Sequence, residues 1–385
     1  MHTGGVSAST VCMNKRGAEE PVAYLIVRGK AMAAQVPELI DLIQEIALTV
    51  NLDNQERFLQ LVRQSKSGAQ SSLISNGHLI ASRRLAAQTT QAGWVGERFS
   101  GLSQYEALSK LLSEVEDGGW EAVAERLKRL QACIFNKAKC AVLNITADPD
   151  NVASARSALE AFAAGLPDGS NVETAAPKPA LGRKAEGIIV PTQVNYVGKG
   201  GNLYASGYEL HGSSLVISKF LGTTYLWDRV RVSGGAYGGF CQFDPRSGDF
   251  KYLSYRDPNL GRTWSNYDGA PGFLKDVELG EDELAKAIIG CMGDVDSYML
   301  PDAKGYQAML RHLLGEGDEY RQRLRDQILS TTTEDFRGFA AALDSVSAEG
   351  GLCVVGSKDA LEAAEEEFGL SLTSPFASGA QGGEP

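Results

Sequence analysis

The sequence predicts an α+β protein built from two copies of one domain-sized unit. Stretches with two-residue alternation and stretches with helical spacing are interleaved along the chain. A proline- and glycine-rich break, Gly165 to Gly187, divides the 385 residues into halves of roughly similar length. Each half closes alike, with an amphipathic helix, an apolar strand, a turn and a second helix. The units are then 1–168 and 187–385, with a linker at 169–186 and an acidic tail from about 360. A period this long belongs to a duplicated domain and not to a solenoid.

The elements follow in chain order. "VAYLIVRG" reads as a strand near the start of the first half. Residues 54–91 read as long helices, with Phe58, Leu61, Val62 and Leu73 at helical spacing. "WEAVAERLKRLQACI" is an amphipathic helix, and "CAVLNITADPDNVASARSALEAF" a strand, turn and helix. The second half opens with a strand at 187–196, Pro191 lying at an edge or bulge, and "LYASGYELHG" reads as the next strand. "DRVRVSGGAYGGF" alternates as a strand would, placing Arg229 and Arg231 on one face and Val230 and Val232 on the other. A strand ending at Phe243 pairs with "DFKYLSYRD" across the turn "DPRSG". Glu281–Met299 is a helix stopped near Pro301, and Tyr306–Leu314 is another with Gly315 as its C-cap. Thr331 and Glu334 suit a capping box before "TEDFRGFAAALDSV", and "CVVGSKDALEAAEEEF" repeats the closing strand, turn and helix.

Bulk properties exclude several classes. A net charge of −11 leaves no basic stripe to neutralise phosphates, so nucleic acid is disfavoured, while a cationic peptide is accommodated. No apolar run approaches the ~20 residues of a membrane span. The first ten residues carry neither a secretory core nor an Arg-rich amphipathic stretch. The six cysteines (Cys12, Cys133, Cys140, Cys241, Cys291 and Cys353) form no C-x-x-C pair, which suits buried thiols in a reducing compartment.

The chain lacks the parts of a complete catalytic site. Its four histidines, His2, His78, His211 and His312, form neither H-E-x-x-H nor H-x-x-E-H. His312 with Glu316 is the one tempting pair, but Gly315 breaks the helix between them. His78 reads as a polar packing residue. Neither a phosphate loop, a dinucleotide fingerprint nor a G-x-S-x-G elbow is present. What remains is a cluster rich in tyrosine, glycine and positive charge: "VPTQVNYVGKGGNLY", "WDRVRVSGGAYGGF" and "YLSYRDPNL". Four glycines surround Tyr237, six residues after Arg231. Two readings stand: a glycine-rich bulge at a sheet edge, or a place where an extended peptide meets bare backbone, with Arg231 and Tyr237 as its polar contacts and Asn195, Tyr196, Gly234 and Gly235 as further substrate-binding residues.

These stretches, with "GYELHGSSLVISKFLGTTYLWDRVRVSGGAYGGF" and "AIIGCMGDVDSYMLPDAKGYQAMLRHLLG", resemble the C-terminal domain of the presequence proteases. These are organellar members of the pitrilysin-type, inverted-zincin metallopeptidases, and the plant and algal forms are nearest. "TGGVSAS", "YLIVRGKAMA", "SNGHLIASRRLAAQTTQAGWVGERFSGLS" and "NITAD" are similar to the preceding domain, so the resemblance runs from Thr3 to about Val355. It implies two pitrilysin-like domains, the third and fourth of four, each a mostly antiparallel sheet packed with helices. It implies that zinc and its H-x-x-E-H helix belong to an N-terminal half outside this sequence, with no metal ligand here. It also implies that Arg231 and Tyr237 match an arginine and a tyrosine that reach the zinc site when the halves close and stabilise the negative charge developing on the peptide carbonyl. The expected partners are that zinc-bearing half, in the same polypeptide or in trans, and unstructured, basic peptides such as cleaved targeting sequences. The expected compartment is the mitochondrial matrix or the chloroplast stroma. A fragment, a truncated gene model and a separately encoded half all fit a chain starting where the family's third domain is under way. The competing reading is a non-catalytic scaffold or regulatory subunit of the same fold.

Overall fold

The computed structural model describes residues 3–18, 20–139, 142–169 and 178–376. Residues past 376, much of the expected linker, His2 and Cys140 lie outside the described residues, whereas the acidic run expected to form a tail from about 360 lies in a described helix, 358–368. The first segment runs β1 (Val6–Met13), β2 (Val22–Gly29), α1 (Val36–Leu48), α2 (Gln55–Ser75), α3 (Gly77–Thr89), α4 (Gln91–Ser100), α5 (Leu102–Glu116), α6 (Trp120–Ile134) and α7 (Pro149–Gly165). The second begins β3 (Ala185–Ile189), β4 (Tyr196–Asn202), α8 (Ser213–Thr223), β5 (Gly238–Phe243), β6 (Asp249–Tyr255), α9 (Gly261–Asp268) and α10 (Ala270–Asp276). It closes with α11 (Glu281–Val295), α12 (Pro301–Leu314), α13 (Asp318–Leu329), α14 (Thr333–Glu349), β7 (Gly351–Gly356), α15 (Lys358–Phe368) and β8 (Ser371–Thr373).

β1 and β2 form an antiparallel hairpin, Val6 opposite Gly29. The main sheet has six strands in the order β5-β6-β4-β7-β3-β8. Its three pairings from β5 to β7 are antiparallel, and β3 runs parallel to both β7 and β8. Side-chain alternation divides each inner strand between two cores. Val197, Phe250, Tyr252, Leu352 and Val354 face one way, into a core closed by α8, α9, α10, α14 and α15. Tyr196, Leu253, Cys353 and Val355 face the other way and meet Leu73 of α2, Ile80, Ala81 and Leu85 of α3, and Leu102 and Tyr105 of α5. Helices of the first segment therefore cover one face of the second segment's sheet. This is why β7 reads "GLCVVG" and is buried at every residue. α3 lies so close to β4 that a Cβ on Gly77 would sit 2.3 Å from the Tyr196 ring.

Local signals explain most element ends. Asn54 and Thr90 accept from the backbone N–H groups of Arg57 (3.0 Å) and Gly93 (2.9 Å), capping α2 and α4. Gly315 ends α12 with φ 73°. The capping box is shifted by one residue from expectation: Thr332 and Asp335 form it, while the Thr331 hydroxyl donates to the Ile328 carbonyl at 2.8 Å. α11 ends at Val295, short of the expected Met299, so Pro301 does not stop it; Pro301 opens α12 at a position where its missing N–H costs nothing.

Four expected strands are corrected. The strand expected over 187–196 is two: β3 ends before Pro191, which cannot donate to a ladder, and Tyr196 opens β4. "LYASGYELHG" is a turn, in which Ser206 and Gly207 donate to the Leu203 and Tyr204 carbonyls at 3.2 and 3.1 Å. Residues 142–148 join no ladder among the described residues; Val142 and Leu143 are more than a third exposed, so apolar composition alone did not secure a strand partner. "WDRVRV" is helical, as described below. Replacing Leu85, 1% exposed between α3 and the sheet, by alanine should lower stability by about 2–5 kcal/mol. The urea-unfolding midpoint checks this.

Candidate active site

Trp227–Val232 forms a π-helical turn, in which the Ser233 N–H donates to the Asp228 carbonyl, five residues back, at 2.8 Å. Residues two apart on a helix diverge, so Arg229 and Arg231 do not share a face. Arg229 lines a cleft of about 400 Å³ with Tyr225, Asn266, Phe273 and Asp276. Arg231 lies over the Trp227 ring, 3.9 Å from its centroid, and 5.8 Å from the centroid of Tyr237. Val230 is fully buried while Val232 is 65% exposed, the reverse of what strand alternation requires.

The glycines around Tyr237 have a reason within the chain. Gly235 has φ 81°, a left-handed conformation that other residues rarely adopt. A Cβ on Gly234 would lie 2.4 Å from the Val230 carbonyl oxygen, and one on Gly239 would lie 2.6 Å from Val230 Cβ. The loop thus turns tightly from the π-helical turn into β5. It presents Tyr237, 67% exposed, on a surface shared with Trp227 and Arg231. The Tyr237 N–H donates to the carbonyls of Tyr255 (3.0 Å) and Arg256 (3.3 Å), and its ring packs edge-on against Tyr255 at 5.7 Å.

Arg231, Tyr237, Gly234 and Gly235 are therefore brought together. Asn195 and Tyr196 are placed beneath them. Tyr196 is 2% exposed, and its hydroxyl donates to the Ile74 carbonyl at 3.0 Å, near the C-terminus of α2. Asn195 is buried and exchanges two backbone hydrogen bonds with Asp257 (2.7 and 2.8 Å). As substrate contacts these two side chains do not reach the exposed face; their packing role accounts for them. Sequence reasoning missed Asp257 and Asn259. Asp257 is fully buried and accepts from the Asn259 N–H at 2.9 Å and the Thr263 hydroxyl at 2.6 Å. The signal that could have found them was "RDPN", an Asp-Pro-Asn turn next to an aromatic strand.

His78 packs among Tyr196, Phe240 and Tyr255, with ring centroids 4.8–6.2 Å away. Burial pushes its pKa below the ordinary histidine value. Among the described residues no group of three or more His, Cys, Asp or Glu is arranged to hold a metal ion. Glu316 grips Arg246 through both carboxylate oxygens (2.6 and 3.2 Å). A zinc ion thus finds no ligand set among these residues.

Residues 185–358 match the family model described as PreP C-terminal domain. Residues 1–111 match the model of a domain associated with subfamily C of the M16 peptidases. Presequence protease 1, chloroplastic/mitochondrial, of Arabidopsis thaliana is 45% identical over 365 residues, covering 95% of this chain and 34% of the relative. The chain is thus similar to presequence proteases over nearly all of its length. A mitochondrial presequence protease of Gibberella zeae is 29% identical over 94% of the chain and 36% of its own length. The chain thus spans about a third of these relatives. Among solved structures, a peptidase M16 inactive domain from Pseudomonas fluorescens (TM-score 0.57, 13% identity, 92% of this chain and 81% of that one) shares the fold. Pitrilysin does too (TM-score 0.55, 14% identity, 91% of this chain and 36% of that one).

The His78 environment sets a pH dependence. The fold disfavours its imidazolium, so the unfolded chain binds more protons at acid pH. This contribution to stability is fully present above about 6.5, the ordinary histidine value, and is lost as pH falls below it. Melting temperature measured from pH 8 to pH 5 should fall less steeply for His78→Asn than for the parent chain.

Proposed function

We propose that this chain forms one wall of a peptidase chamber, with Arg231 and Tyr237 contacting the scissile peptide. The observation that carries this reading is the exposed Arg231–Trp227–Tyr237 surface, where the guanidinium meets two aromatic rings. Stacking on Trp227 engages the face of the guanidinium and does not use its edge N–H groups. A phenol hydroxyl and a guanidinium on one surface are suited to donate to a carbonyl oxygen as negative charge develops on it. The surface is open, which agrees with a site completed by a second half. That half, in the same polypeptide or in trans, is proposed to carry zinc and the hydrolytic centre. The substrates are short unstructured peptides, including cleaved targeting sequences; a chain of net charge −11 favours basic ones. An organellar compartment, mitochondrial or chloroplastic, is in keeping with the names of the relatives.

The test is cleavage of a basic, amphipathic, presequence-like peptide by this chain mixed with a zinc-bearing N-terminal half. Cleavage is expected only in the mixture. Arg231→Ala and Tyr237→Phe should each lower kcat about 10²–10³-fold with melting temperature unchanged. Variants retaining full activity would remove the assigned role. Stable association of the halves without cleavage would replace this reading by the scaffold one.

A further inference from the structure

The loop 233–236 separates Arg231 from Tyr237; its last residue, Ala236, is packed in the core, and the rest of the loop stands outside it. Two of its hydrogen bonds are internal: Gly235 N–H to the Arg231 carbonyl at 2.9 Å and Ala236 N–H to the Val230 carbonyl at 3.1 Å. Both return to the π-helical turn, so neither fixes the loop against the sheet. Gly234, two residues before that buried end, is anchored from outside by the Asn259 side chain. Its Nδ2 donates to the Gly234 carbonyl at 2.6 Å and to Asp257 Oδ1 at 3.3 Å. Asp257 is in turn immobilised: Thr263 of α9 occupies its Oδ2, and Asn195, just before β4, holds its backbone from both sides. The Pro258 ring lies under Gly235, 3.6 Å from where a Cβ would stand. At the other end of the loop, the Tyr237 N–H is held by the carbonyls of Tyr255 and Arg256.

One short segment, Tyr255–Asn259, therefore grips the loop at both ends. We infer that Asn259 is a positioning residue that fixes the spacing between Arg231 and Tyr237. The inference rests on the proposed role of that pair. Asn259 itself points into the loop, and its amide is spent on Gly234 and Asp257, so it acts through the loop and does not meet the peptide. Its contribution is geometric. Two donors must point at one oxygen at once, and a displacement of about 1 Å in either can cost on the order of 10²-fold in rate.

Two variants test this. Asn259→Ala removes the donor; Asn259→Asp is nearly isosteric, also lacks it, and serves if the first fails to fold. Hydrogen exchange of the segment 233–237 should accelerate at least about tenfold in either variant, while exchange in β6 and β7 is unchanged. In the peptide assay with the zinc-bearing half, kcat should fall about 10- to 100-fold and KM should stay within about twofold, since ground-state binding does not need both donors. Unchanged exchange in 233–237 overturns the inference. Faster exchange with unaltered kcat also overturns it, while leaving the role of Arg231 and Tyr237 standing. If the parent mixture cleaves nothing, the proposed function fails, and the exchange measurement alone decides whether Asn259 holds the pair.

Discussion

The architecture depends on one constraint: the six-stranded sheet has to be covered on both faces. Its inner strands carry apolar side chains in both directions, and backbone continuity supplies helices from its own segment to only one of them. The second face is closed by α2, α3 and α5, and polar contacts join this first segment to the sheet along the seam. Arg84 of α3 reaches both Glu97 of α4 and Glu186 of β3, while Gln88 accepts from the Lys184 N–H at 2.9 Å. Buried ion pairs contribute little net stability once desolvation is counted. Here the network fixes which strand α3 faces, and hydrophobic burial supplies the driving force.

The candidate site inherits its geometry from that sheet. β5 is one of the two edge strands, and the chain enters it from a helical turn through a loop too tight for side chains at Gly234 and Gly239. That entry turns Arg231 toward Tyr237 and Arg229 toward a different cleft. Beneath the loop, the aromatic layer of Tyr255, Tyr196 and His78 connects the exposed tyrosine to the α3–sheet seam.

Much of this was legible in the sequence. The β5–β6 hairpin, the long helices of residues 54–91 and the Gly315 cap all carry short-range signals: a good turn, helical spacing, a glycine at the right place. The α+β class and the convergence of Arg231 with Tyr237 were also accessible. The π-helical turn was not, because "RVRV" satisfies a two-residue period. The competing signal was the pair Leu226 and Val230, four apart and both fully buried, which is helical spacing. Tyr196 escapes sequence reasoning for a different reason. A tyrosine in a glycine-rich strand looks like a rim residue until a helix end, distant in sequence, offers a carbonyl to its hydroxyl. The Asp257–Asn259 bracket likewise depends on which loop lies above it, and the turn that forms it does not encode that neighbour.

The coverage of the sheet by earlier helices has a consequence for biosynthesis. α3 leaves the ribosome well before the strands that will bury Ile80, Ala81 and Leu85, because β4, β6 and β7 all lie in the second segment. During that interval the stripe has only Leu73, Leu102 and Tyr105 of its own segment to pack against, and contacts of such long sequence separation form slowly. The nascent chain therefore passes through a stage in which the sheet-facing side of these helices is uncovered. That is the kind of surface holding chaperones bind and aggregation exploits.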